Sequence, residues 1–308
     1  MTTVEQINPM TTSSLSRLLE EQGAAIAANG VAADAGDTCS RENYQLLKEY
    51  RCFSAMVPAA QGGGGVTYAE MCEFLGQLAS HHPSTALACS MHQHIVAANR
   101  FNAAHGRPGQ ALLEKVAARE MVLISTGAGD WLASSGELTR VEGGYRLSGT
   151  KHFASGSPVG DVLVTSAPYE DPEAGWQVLH FPVPVSVEGV TVLDNWRPLG
   201  MCGSGSNSVV MKDVFVPEET VAVRRPRGDF HAMWCVVLPL ALPLIMSVYR
   251  GIAQTAAGRA RAHCASSRDP GTPYLLGEME NALTVAELSV GDMIERVDEF
   301  GFTPDIDT

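Results

Sequence analysis

The chain has 308 residues, 45% hydrophobic and 18% charged, and a formal net charge of −13. It is longer than one core usually supports, and its apolar fraction suits a protein of more than one domain. The acidic balance excludes a nucleic-acid footprint or an anionic membrane surface as partner.

Seven scattered cysteines without a C-x-x-C pair point to reduced thiols, no zinc site and a cytoplasmic setting. The N-terminus lacks a charged segment followed by an apolar core, so no leader is read there. Residues 13–29 form the first predicted helix, with Ser13 at its cap and Leu15, Leu18 and Leu19 on one face. A second helix is predicted over 41–50. Gly62 to Gly65 break the pattern and read as a loop, because no G-K-[ST] follows to make a phosphate cradle. Residues 67–80 form a helix with capping-box spacing, Thr67 and Glu70.

The apolar stretch 85–101 is predicted to be a buried helix. It carries His92 and His94, which at two residues apart cannot form a metal pair on one helix face. His92 is the one candidate for catalysis, against the plainer reading of a hydrogen-bonded core histidine. A short helix over 110–119 closes the helical part, and the apolar run from Met121 opens a β region. Tyr145 and Leu147, then Val162 and Val164, alternate as half-buried strands. Between them that alternation places Phe153 and Ser155 on one side, an aromatic face beside a hydroxyl. Such a pair suits a flat redox-active ring, and a core phenylalanine beside a turn serine is the plainer account.

Strands are also predicted over 176–185, where Pro182 and Pro184 mark an edge or an end, and over 208–217. Arg224 to Gly228, with three arginines, reads as an exposed linker that could otherwise meet a phosphate. The apolar run 233–246 holds Pro239 and Pro243, is too short to span a bilayer, and reads as a buried segment. Two helices, over about 236–262 and 276–300, end the pattern; Gly251 and the alanines nearby suit close helix contact.

Two ordered stretches carry a family resemblance. The first is Gly149, Lys151, Phe153 and Ser155; the second runs from Thr191 to Val221 and contains Leu199-Gly200-Met201, Gly203, Gly205, Ser206-Asn207 and a Val216-Pro217-Glu218 close. The chain resembles the acyl-CoA dehydrogenase family of flavoproteins, including its flavin-dependent monooxygenases, over about its whole length. The resemblance implies an α+β multidomain fold: a helical N-terminal domain (1–119), a β-sandwich or barrel middle domain (120–225) and the first two helices of a C-terminal four-helix bundle (226–308). On that comparison the chain is expected to lack its last ~80 residues, at ~25 residues per helix. The resemblance also implies a homodimer or homotetramer and a flavin held by Phe153, Ala154 and Ser155. Ser125, Thr126 and Gly127 stand where the family meets the flavin pyrimidine, with the choice between Ser125 and Thr126 open.

The leading expectation is an FAD-dependent oxidoreductase moving hydride from an acyl thioester such as an acyl-CoA to flavin. The family keeps its proton-abstracting Glu either near the end of the bundle or on its first helix. No Glu occurs between Glu219 and Glu278, so no base is carried over. The family's adenosine-diphosphate contact is half present, with Arg268 followed by Asp269-Pro270-Gly271. These departures keep two alternatives in view: a monooxygenase using reduced FMN, with His92 or Ser155 near the reacting oxygen, and a truncated inactive copy.

Overall fold

The structure is a computed structural model that describes residues 12–36 and 38–304. Apolar spacing builds the first layer: α1 (Thr12–Ala35) buries Leu15, Leu18, Leu19 and Ile26, and runs six residues past its predicted end. The Ser13 cap lies outside the described side chains. After α2 (Arg41–Glu49), an added Cβ at Gly63 would lie 2.2 Å from the Val57 carbonyl oxygen. The glycine run is therefore a loop for steric reasons.

α3 (Tyr68–His81) starts on the expected capping box. Thr67 Oγ1 accepts from the Glu70 amide, and the Glu70 carboxylate accepts from the Thr67 amide at 2.9 Å. α4 (Pro83–Ala104) opens on a proline at its first turn, where no intrahelical donor is lost, and α5 (Gln110–Arg119) follows.

Eight strands then make two four-stranded sheets: β1 (Leu123–Ser125), β2 (Glu137–Val141), β3 (Gly144–Ala154), β4 (Val162–Asp171), β5 (Gly175–Pro184), β6 (Val190–Val192), β7 (Asn207–Pro217) and β8 (Val223–Pro226). Their orders are β1-β4-β5-β8 and β2-β3-β7-β6, antiparallel except for β1 beside β4. Leu147, Val209, Met211 and Val214 of one sheet and Leu163, Leu179 and Phe181 of the other are buried in the core. Pro182 and Pro184 lie beyond the four β5 residues that pair with β8, so neither removes a donor needed on that side.

One sequence expectation about the fold needs correction. Arg224–Arg227 is not an exposed linker: β8 occupies most of it, and Arg225 is fully buried. A run of arginines looks solvated by composition, but alternation turns one of them inward, where carbonyl groups take its donors. The apolar run 233–246, too short by itself to span a bilayer, lies within α6 (Trp234–Cys264), which follows the predicted helix over about 236–262 through Pro239 and Pro243 and is 31 residues long. Among the described residues it is the one helix long and apolar enough to cross a membrane. It packs instead on α3 and α4, with Leu240, Leu244 and Val248 fully buried. A Cβ at Gly251 would lie 2.0 Å from the Gly76 carbonyl oxygen, so two backbones meet there. Arg250 reaches Glu73 at 2.7 Å across the same contact. α7 (Thr272–Val297) packs back along α6.

Candidate cofactor site

The end of β3 departs from simple strand geometry. Lys151 is buried, and strict alternation would bury Phe153 on the same face. Instead the β3–β7 register shifts between Lys151 and Ala154, and Phe153 takes a left-handed backbone with φ 59°. Both His152 and Phe153 consequently face out, the phenyl ring 58% exposed, while Ala154 is buried. A bulky residue in that conformation costs about 1–2 kcal/mol, which the burial of its own ring does not offset. The exposed face is thus held at a local cost, a pattern found where a ligand binds.

Neighbouring groups add an aromatic edge and a hydroxyl beside this exposed phenyl face. The Trp196 ring stands edge-on to Phe153, 6.1 Å between centroids and 87° between planes. Asn207 fixes that tryptophan by accepting from the amides of Asn195 (3.0 Å) and Trp196 (2.9 Å), while Trp196 Nε1 donates to the Met201 carbonyl. Half-buried Ser155 has its hydroxyl 2.9 Å from that of Ser206. Trp196 and Ser206 both lie inside the second family-like stretch. The signal that could have singled them out is Asn207, which follows Ser206 directly and whose side chain folds the loop back onto the Trp196 amide. A cavity of about 230 Å³ is lined by Trp196 together with Arg41, Arg197, Cys39 and Cys202.

The other predicted wall follows β1. Ser125 is half-buried, whereas the Thr126 hydroxyl is buried and donates to Thr165 Oγ1 at 2.8 Å. Ser125 is therefore the freer of the two to meet a ligand. Gly127 begins a single helical turn, Gly127–Gly129, that lies against β3. The tie between the walls is ionic: Lys151, two residues before Phe153, pairs with Asp130 and donates to the Ser135 carbonyl at 2.8 Å. Burial pulls the Lys151 pKa down, and the Asp130 carboxylate opposes that shift. From the far side Arg225 donates to the carbonyls of Leu132 (2.7 Å) and Asp130 (3.1 Å) and to Nε2 of His180. Trp131 stacks on Trp234, fastening the same segment to the head of α6.

His92 has no nitrogen left for a substrate. Its Nδ1 accepts from the Leu123 amide at 3.0 Å and its Nε2 donates to the Phe53 carbonyl at 2.8 Å. Burial lowers its pKa to about 4, so the ring is neutral, as those two bonds require. His92 holds β1 against α4, and its candidacy for catalysis is withdrawn. Among the described residues no cluster of His, Cys, Asp and Glu could hold a metal ion.

This two-sheet β domain, capped by helices on both sides in sequence, matches solved structures over nearly all of its length. The chain superposes on a nitrososynthase from Micromonospora carbonacea var. africana with a TM-score of 0.85, at 25% identity, covering 97% of this chain and 80% of that one. The chain has the acyl-CoA dehydrogenase-like fold. FMN-bound TdsC from Paenibacillus sp. A11-2 shares the fold at a TM-score of 0.81 and 19% identity, covering 96% of this chain and 78% of that one. By sequence the chain is 27% identical to a dibenzothiophene monooxygenase of Rhodococcus erythropolis over 84% of its own length and 63% of the relative's. It is 25% identical to a mitochondrial isovaleryl-CoA dehydrogenase of Solanum tuberosum over 62% of its length and 47% of the relative's. The chain thus spans under two thirds of each of these two relatives. No protein-family model matches it.

Proposed function

We propose that the chain is a flavin-dependent oxidoreductase of the monooxygenase type, binding FMN with its ring against Phe153. The observation that carries the reading is the phenyl face held outward on a left-handed backbone, with Trp196 edge-on and the Ser155 hydroxyl two residues away. Phe153 would orient the ring, Ser125 and Ser155 would hydrogen-bond its polar edge, and the Lys151–Asp130 pair would hold the two walls in register. When bound and reduced, the flavin supplies two electrons so that O₂ and substrate yield oxygenated product and water.

Dehydrogenation of an acyl thioester needs a carboxylate beside the substrate. α6, one of the two places where the family keeps it, contains neither Asp nor Glu. The acyl-CoA expectation therefore gives way to a small substrate with an oxidisable sulfur, nitrogen or electron-rich ring, the chemistry named for the monooxygenase relatives. FMN is favoured over FAD because Asp269-Pro270-Gly271, after Arg268, replaces the rest of the adenosine-diphosphate signature. The bound state of an FMN-containing neighbour supports the same choice.

A homo-oligomer is part of the proposal. α7 buries only Val290 and Val297 but exposes Tyr274, Leu275, Val285 and Leu288, an apolar face on a soluble helix. The boundaries 1–119, 120–225 and 226–308 are retained as the proposed domains, and the cytoplasm as the proposed compartment. To test the chemistry, the protein is given reduced FMN, labelled O₂ and either dibenzothiophene or indole. One labelled oxygen in the product supports the monooxygenase. Anaerobic bleaching of bound oxidised flavin by an acyl-CoA would replace it with the dehydrogenase.

A further inference from the structure

Behind Ser155 lies a run of three hydroxyls. Ser155 Oγ is 2.9 Å from Ser206 Oγ, which is 2.8 Å from Ser204 Oγ. Exposure falls along the run: Ser155 is half-buried, Ser206 is 5% exposed and Ser204 is fully buried. The backbones around them are tied, since the Gly156 amide donates to the Ser204 carbonyl at 2.8 Å and Ser157 Oγ to the Gly205 carbonyl at 3.2 Å.

Three hydroxyl protons serve two links, so one proton is left over, and its place fixes the direction of the whole run. If Ser155 donated inward, Ser206 would donate to Ser204, and the spare proton would sit on Ser204. Among the described residues the Ser204 hydroxyl has no partner except Ser206. A buried donor without an acceptor is the costly outcome, whereas an unfilled lone pair is tolerated far better. Letting Ser206 accept from both sides only moves the spare donor to another buried atom. The remaining order has Ser204 donating to Ser206, Ser206 donating to Ser155, and the Ser155 proton directed outward.

We propose that Ser204 and Ser206 are positioning residues that polarise Ser155, making it a hydrogen-bond donor toward an acceptor atom of the ligand that rests on Phe153. That the ligand is a flavin rests on the function proposed above; the direction of the hydroxyl run does not. Neither serine touches the ligand, and both act through Ser155. Donors aligned in series also strengthen one another, so the outward bond gains from the two behind it.

Two measurements on the full chain test this separately. Thermal melting of the ligand-free protein reads the direction. Ser206→Ala strands the Ser204 proton and should lower the melting temperature more than Ser204→Ala, which leaves every donor satisfied. The opposite order would overturn the assignment. FMN titration then reads the coupling. Ser155→Ala should weaken FMN by roughly 2- to 12-fold. Ser206→Ala should weaken it by part of that in the parent and not at all in the Ser155→Ala background, with a shift of the bound-flavin visible band only in the parent. An equal loss in both backgrounds would show that Ser206 does not act through Ser155. If the parent fails to bind FMN while the melting order holds, the flavin reading fails and the polarised run stands.

Discussion

Replacing Lys151 with methionine isolates the tie between the two walls of the site. The side chain is 1% exposed and its ammonium pairs with Asp130, which is also buried, so the stem can be kept while the charge is removed. Methionine fills similar space, which leaves a buried, uncompensated carboxylate as the main consequence. Losing one partner of such a pair costs about 3–5 kcal/mol. The Ser135 carbonyl loses its donor as well, another ~1 kcal/mol. Urea unfolding should therefore show a loss of about 4–6 kcal/mol, summing those terms. Adding Asp130→Asn removes the stranded charge and should return most of it. A loss below about 1 kcal/mol, the range of an exposed pair, would refute the argument that this ion pair holds segment 126–136 to β3.

Three further outcomes follow from the same geometry. Phe153→Gly should stabilise the fold by about 1 kcal/mol, because glycine accepts the left-handed backbone freely, while FMN affinity falls; marked destabilisation in a melt would mean that the ring belongs to the core. Stability should decline as pH falls from about 6.5 to about 4, since the unfolded chain takes up protons there that buried His92 and His94, both held to about 4 by burial, refuse. Each histidine contributes up to about 1.4 kcal/mol per pH unit across that window, and His92→Gln should flatten the slope seen in pH-dependent unfolding. Leu275→Lys with Leu288→Lys should lower the mass measured by light scattering, and an unchanged mass would move the subunit contact off α7.

Much of this was legible because it is local. The Thr67–Glu70 box and the strand alternation of β3 depend on neighbours a few residues away, and they appear where the spacing puts them. Phe153 was legible as a residue but not as a conformation. Alternation groups it with Lys151, and only the register shift against β7 turns it out. Arg225 was illegible because its composition signals solvent, while its partners, the carbonyls of Asp130 and Leu132, lie more than ninety residues earlier. His92 failed as a candidate for the same reason: the Phe53 carbonyl and Leu123 amide that occupy it are distant in sequence. The extent of α6 was legible as well: the helix read over about 236–262, through Pro239 and Pro243, falls within two residues of the observed Trp234–Cys264 at each end.

Titration of the purified chain with FMN, followed by quenching of the flavin's fluorescence and compared between the parent and Phe153→Ala, tests the cofactor site most directly. The account predicts saturable binding by the parent and a clear loss of affinity in the variant, whose fold should be intact because the ring is mostly exposed. Equal affinity in the two proteins, or none in the parent, would contradict it.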